Sequence, residues 1–449
     1  MRVTFPSPVP LDSGCLIDII FPSDLPITQT DLTNIRGVGL FGTSKTMTTV
    51  ITTSTRTVTL SNGCDTYISP EFDAIVDFTQ ISNPLSTKPT DSLIVRIKDA
   101  NGFAIAERTT GIQYVATFGE MSSGTMSATP TVIGSTSVST ISMFPNHKVT
   151  TAGAIKITFP SQITFSGTSC TLAGHVVIST SATCSISGQI VRITNPFTAD
   201  YIPSASSTST IQFTISSIVM PGTTAPTGTF TYETVLVSSS IDYVIDKSTY
   251  TNMITGTAGA ITTASATPSS FVANALTTYT FSFQAEHEIV KDAKIIIVFP
   301  AAIILPTPAT SANSCTAISG ISRTLICTAT SSTLTIISGY ASTSQPAGST
   351  VSFSITQVRN PVSMEPTSSF TISILTGDDY DIDKTSSGVT VTMTSVNEIS
   401  SVAISPNSLV NAATTNLEIS ITASSTLKNG DLLRVTFPTQ IMAPSGTIT

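Results

Sequence analysis

Six cysteines, three histidines and one dense acidic stretch are the residues of this chain whose types can do chemistry. The cysteines sort as Cys15 with Cys64, Cys170 with Cys184 and Cys315 with Cys327, and the last two pairs each follow a Phe-Pro dipeptide. Read as disulfides, the two close pairs staple short loops and stabilise by about 3 kcal/mol each. They imply an oxidising compartment. Zinc is excluded by spacing, because no C-x-x-C occurs and His147, His175 and His287 do not cluster with the thiols.

The acidic stretch "GDDYDID" offers Asp378, Asp379, Asp381 and Asp383, a set of oxygens of the kind calcium takes. Its counterparts keep only Asp242 and Asp246, or read "DANGFAIAE", so a solvated hairpin turn is the leading reading and calcium a weak alternative. "DANG" at 99–102 reads as a hairpin turn for the same reason. Catalysis has little support. The three histidines stand in different sequence surroundings and no G-x-S-x-G accompanies them. Glu286 and Glu288 in "QAEHEIV" read as an exposed strand end and not as a glycosidase pair. Trp is absent, which removes the usual platform for stacking sugars. A non-enzyme without a resident cofactor is expected.

The elements that must position these residues are strands. "AKIIIVFPAAI" (293–303) is apolar enough to suggest a membrane segment, but the chain repeats it as "GAIKITFPSQI" (153–163), "DLLRVTFPTQI" (431–441) and "CLIDIIFPSDL" (15–25). Ile17, Ile19 and Phe21 alternate, as do Ile155, Ile157 and Phe159, then Ile295, Ile297 and Phe299, then Leu433, Val435 and Phe437. That period of two is a strand with one buried face, with Asp18, Lys156 and Arg434 on the other. Pro lacks an N–H and closes the ladder. A membrane helix needs about 20 unbroken apolar residues, so no span is expected here.

The prolines of Phe-Pro, Pro22, Pro160, Pro300 and Pro438, recur every 138 to 140 residues. Two further landmarks keep the same register: Pro130, Pro268 and Pro406, and the pairs Pro84/Pro89, Pro221/Pro226 and Pro361/Pro366. This self-similarity predicts tandem domains over 1–119, 120–258, 259–396 and 397–449, the first lacking its opening strand and the last partial. Helical periodicity is missing and turn residues recur about every ten positions. The expected fold is all-β, an array of immunoglobulin-like antiparallel sandwiches without the hallmark Trp.

Only 10% of residues are charged, and 19 Lys and Arg stand against 27 Asp and Glu for a net charge of -8. That balance excludes a nucleic-acid partner, which demands a basic face. No Asn has Ser or Thr two residues later, so N-linked glycans have no acceptor, while "SASSTSTIQF" (204–213) and "TTSTRTVTL" (52–60) are candidates for O-linked sugars. "MRVTFPSPVP" has no apolar leader core, and the register of the repeats reads as a window on a longer secreted chain.

The combination of "ITFPSQI", a paired-cysteine segment, "ITQVRNPVSMEPTSSFTI" and "YDIDKTSSGVTVT" resembles the long tandem repeats of secreted and cell-surface proteins of ciliates and other protists. The resemblance covers nearly the whole chain, and the first repeat departs from it by moving its cysteines. It implies an extracellular sandwich array and transfers no catalytic residue. The expected function is an extracellular structural protein of a surface filament or coat that self-associates into a linear polymer. An adhesin with a binding face on one repeat or in a missing terminal domain, and a secreted carbohydrate-active enzyme, are the alternatives.

Overall fold

The computed structural model describes residues 1–6, 8–25, 27, 36–37, 48–61, 73–78, 81–168, 170–176, 178–204, 210–248, 253–306, 315–321, 325–427 and 429–442. Every regular element among them is a β-strand. No helix among them is long and apolar enough to cross a membrane. Two compact units divide the chain: Met1–Pro221 with Pro226–Gly256, and Gly222–Ala225 with Thr257–Thr449.

One strand order occurs three times. In the first unit Leu16–Ile20 lies between Thr57–Ser61 and Ile94–Lys98, with Thr48–Thr52 and Ala104–Arg108 outside them. Further along the same unit Gly153–Thr158 lies between Ile190–Thr194 and Thr231–Ser238, flanked by Thr183–Ser187 and Ile241–Lys247. In the second unit Lys294–Val298 lies between Thr333–Ile337 and Thr371–Leu375, flanked by Ile326–Thr330 and Asp381–Thr385. Each Phe-Pro strand is thus a central strand, which is why its inward face is wholly apolar.

The Phe-Pro dipeptide ends these strands in one way. The Phe N–H makes the last ladder bond, from Phe21 to Arg56 O at 2.9 Å, from Phe159 to Gln189 O at 2.8 Å and from Phe299 to Ser332 O at 2.8 Å. Proline, with no N–H to give, then turns the chain. Its carbonyl accepts from the residue three further on, Leu25 (3.2 Å), Ile163 (3.1 Å) or Ile303 (2.9 Å), and folds that side chain back under the sheet, fully buried.

A second layer covers each apolar face. Ser123–Thr129, Thr136–Phe144 and Ile211–Val219 pair antiparallel over Gly153–Thr158 and its neighbours, and one continuous core holds Ile141, Ile155, Phe159, Phe213 and Phe230. In the second unit Gly259–Pro268, Leu276–Ala285 and Thr350–Arg359 take these places. Phenylalanines and tyrosines fill the volume that a Trp would take. Phe299 meets Phe281 edge-on at 5.4 Å and Phe370 at 5.1 Å, and Phe159 meets Phe230 at 5.3 Å. Such contacts add about 0.5–1.5 kcal/mol each beyond the area they bury.

The opening strand belongs to both layers. Gly259–Ala260 runs parallel to Asp383–Lys384 in one sheet, and from Ile261 onward the same strand pairs antiparallel with Leu276–Ala285 in the other. The first unit does likewise with Gly119–Glu120 against Asp246–Lys247, followed by Ser123–Thr129. Arg2–Pro6 has Asp73–Asp77 as its only strand partner among the described residues.

One expectation needs correction. "DLLRVTFPTQI" forms no strand: Leu433 is 64% exposed, and only the Pro438 to Ile441 turn at 3.0 Å survives of the motif. The strands that flank its three counterparts have no equivalent beside it among the described residues, and alternation without partners does not hold an extended segment. The fourth segment contributes instead a two-stranded hairpin, Ser401–Pro406 with Leu417–Thr422.

Candidate functional site

The histidines give the first recurrent constellation. Asp246, fully buried on the flanking strand Ile241–Lys247, accepts the backbone N–H of His147 at 2.8 Å and faces its Nδ1 at 2.6 Å. Asp383, fully buried on Asp381–Thr385, does the same with His287 at 2.9 and 2.7 Å. A buried carboxylate is tolerated when its lone pairs are met. The third party is glycine. A Cβ on Gly119 or Gly259 would collide with both the carboxylate and the imidazole, so only glycine lets the opening strand lie flat against the pair.

The residue before each histidine closes the arrangement. Asn146 Nδ2 donates to Glu120 O at 2.8 Å, and Glu286 Oε2 accepts the Ala260 N–H at 2.7 Å, so both fix the residue just after the glycine. Glu286, His287 and Asp383 bring their possible ligand atoms within 4.8 Å of one another. Those atoms already face one another or the backbone, and Asn146 stands in for the Glu in the other copy; the chemistry done is a clasp between the first and last strands of a sandwich. The first sandwich has Val9 and Ala106 at the two clasp positions, and both pack against its core.

The weak calcium candidates Asp379, Asp381 and Asp383 each face a cationic or imidazole side chain. Asp379 lies 2.7 Å from Lys294, Asp381 lies 3.9 Å from Lys384, and Asp383 turns inward to His287. Their stretch is a hairpin turn, closed by Thr376 N–H to Tyr380 O at 2.8 Å, and "DANG" is another, closed by Asp99 N–H to Phe103 O at 2.9 Å. Glu288 is exposed just past the strand Leu276–Ala285. His175 falls in Leu172–Val176, with its side chain outside the described residues.

Among the described residues two disulfides have both ends placed, Cys170–Cys184 and Cys315–Cys327, with Cα atoms 5.4 and 6.2 Å apart. Cys315 lies on a strand of one sheet and Cys327 on the outermost strand of the other, so the bond staples the two layers at their edge. Cys184 occupies the corresponding outermost strand, Thr183–Ser187. Cys15 is buried, and its expected partner Cys64 lies outside the described residues.

The paired prolines frame the second constellation. Thr87, three residues after Pro84, donates its N–H to Val244 O at 2.9 Å, and Val244 N–H donates to Thr87 Oγ1 at 3.0 Å. Leu85 packs against the core that holds Phe159 and Phe213. This joins two sandwiches within the first unit. Gly222–Ala225, the same loop 137 residues on, belongs to the second unit, where Thr224 N–H donates to Asp381 O at 3.0 Å. Val244 and Asp381 are also 137 apart.

The Thr after the second proline anchors the last segment of each sandwich. Thr90, Thr227 and Thr367 are buried, and their hydroxyls accept the N–H of Tyr114 (3.2 Å), Ile254 (3.0 Å) and Val391 (3.0 Å). The prolines marked the place in the sequence; Pro-Thr in all three copies was the signal for the residue. The clasp was less visible, because His147 and Asp246 are 99 residues apart and His287 and Asp383 are 96 apart.

No family model matches the chain, and no curated protein matches it. Among solved structures it is similar to the major pilin subunit BcpA of Bacillus cereus, at 10% identity and TM-score 0.23 over 88% of this chain and 96% of that one. It is similar also to the collagen adhesin of S. aureus, at 10% identity and TM-score 0.19 over 70% and 100%. A third is a putative membrane-anchored protein from Corynebacterium diphtheriae, at 9% identity and TM-score 0.20 over 89% and 87%. Overlaps this partial fix neither family nor function.

Proposed function

We propose that this protein is an extracellular structural protein whose tandem sandwiches form part of a surface filament or coat. The observation that carries the reading is the joint seen twice, Thr87 to Val244 and Thr224 to Asp381, with the same backbone atoms at the same spacing. A binding or catalytic protein needs one specialised place; a structural array needs the same connection at every step. The disulfides support an oxidising exterior. The hydroxyl-rich exposed turn at 52–55 suits O-linked sugars, and the resemblance to protist surface repeats belongs to the same reading. Immunogold labelling of unpermeabilised source cells tests it. Label in rows along surface fibres or a coat is expected; label confined to the cell interior overturns it, and label only at sites of contact with a second cell would favour an adhesin.

A further inference from the structure

The two clasps share a glycine, a histidine and an aspartate and differ at the residue before the histidine, which is Asn146 in one and Glu286 in the other. Asn146 is neutral and bonded at both ends of its amide: Nδ2 donates to Glu120 O at 2.8 Å, and Oδ1 accepts from Ser122 Oγ. Glu286 is exposed and has two carboxylate oxygens, of which Oε2 accepts the Ala260 N–H at 2.7 Å. It brings a second carboxylate to the pair, so that one imidazole nitrogen and two carboxylate oxygens lie within 4.8 Å of one another. Among the described residues no other three such side chains converge this closely. The imidazole is also more enclosed here, with the side chain of His287 20% exposed and that of His147 53%.

We infer that Glu286, His287 and Asp383 form a binding site for a zinc ion in the third sandwich. The proposal goes beyond the structural reading and does not depend on it. One imidazole nitrogen with two carboxylate oxygens is a donor set that zinc accepts, whereas calcium takes oxygen alone. The spacing that excludes a thiolate centre does not bear on this set, which uses no sulfur. His287 Nδ1 and Asp383 Oδ1 stand 2.7 Å apart with a proton between them. Ligand atoms each bonded to one zinc at about 2.0–2.1 Å stand roughly 3.3 Å apart, so the pair opens by about half an ångström. The proton leaves Nδ1 for solvent as the bonds to the metal form. Asp383 Oδ2 keeps the His287 backbone N–H, at 2.9 Å, and this holds the carboxylate in position while the proton is exchanged for the ion. Glu286 supplies the third ligand, and water takes the fourth place. The ion thereby binds the residues just past Leu276–Ala285 to the strand Asp381–Thr385. The clasp of the second sandwich offers two ligands and an amide already bonded twice, so the same site does not form there.

Calorimetric titration of the full chain, stripped of metal with a chelator, tests this with zinc chloride as the probe. Wild type is expected to bind a single zinc ion per chain, and calcium chloride is expected to give no comparable heat. Glu286→Gln keeps an oxygen for the Ala260 N–H and removes the charge. Its affinity is expected to fall by roughly tenfold or more, since loss of an outer-shell partner alone costs that much. Asn146→Glu supplies the missing carboxylate beside His147 and Asp246 and is expected to double the stoichiometry, which keeps the test decisive if Glu286→Gln fails to fold. Zinc is expected to raise the unfolding midpoint of the second unit alone in wild type, and of both units in Asn146→Glu. Three outcomes overturn the proposal: no zinc binding by wild type, binding by Glu286→Gln as tight as wild type, or a stoichiometry that Asn146→Glu leaves unchanged. None of them touches the structural reading, which falls separately, on the location of the protein.

Discussion

Asp246 and Asp383 carry ionisable groups with no solvent access, and each is accommodated because one histidine supplies two contacts to it. Replacing His147 by Ala leaves Asp246 with a backbone donor alone, and a loss of about 1–3 kcal/mol in the first unit is expected from urea unfolding. Gly259→Ala should cost at least as much in the second unit, since an added Cβ meets Asp383 and His287 at once and the strand must move away. Beside the first clasp, burial foremost and then the charge of Asp246 push Tyr201 up to about 12. Its neutral form is favoured in the fold, so its contribution is fully present below about pH 10, the ordinary tyrosine value. Between pH 10 and 12 the unfolded chain releases the proton first and stability falls. A plot of the unfolding midpoint against pH should drop over that window, and Tyr201→Phe should make it shallower.

At the scale of elements the Phe-Pro turn ends a central strand, and in the second and third sandwiches the disulfide ties down an outermost one. Phe159→Ala and Phe299→Ala remove the aromatic contacts of the turn, and a loss of about 3–5 kcal/mol is expected. The first should shift only the transition of the first unit and the second only that of the second; a shift of both together by either change would show the register to be misread. Reducing Cys170–Cys184 and Cys315–Cys327 should lower stability by about 3 kcal/mol each, and non-reducing peptide mapping should recover those two links and none between them. The central strands, the Phe-Pro turns, the hairpin turns at 99–102 and 376–380 and the two close disulfide pairs were legible because each is written within a short window of chain. The clasp was not, because a solitary histidine and a solitary aspartate a hundred residues apart carry no periodicity. The fourth Phe-Pro segment misled for the converse reason: Leu433, Val435 and Phe437 alternate as well as their counterparts, yet a strand also needs neighbours to bond, and those lie elsewhere in the chain than the pattern.

Over the molecule as a whole, low charge and many hydroxyls leave few long-range electrostatic constraints, and the loops after Pro84 and Pro221 are held by backbone hydrogen bonds, the first with Leu85 as an apolar plug. Those connections recur with the period of the sequence, so a substitution at any one loop should act locally; Thr87→Gly removes the hydroxyl that Val244 meets and is expected to raise amide exchange at Val244 without altering exchange at Asp381. Stretched from its ends, the chain would deliver tension to a sandwich through its opening strand and withdraw it beyond the flanking one. Gly259–Ala260 and Asp383–Lys384 run parallel, so the pull slides one past the other and every bond of the clasp resists at the same instant, whereas an antiparallel hairpin would peel open bond by bond. The second and third sandwiches are thereby built as shear locks that yield in a single step, and the Cys315–Cys327 link, with a sequence separation of 12, keeps its loop out of the length then released until the bond is reduced.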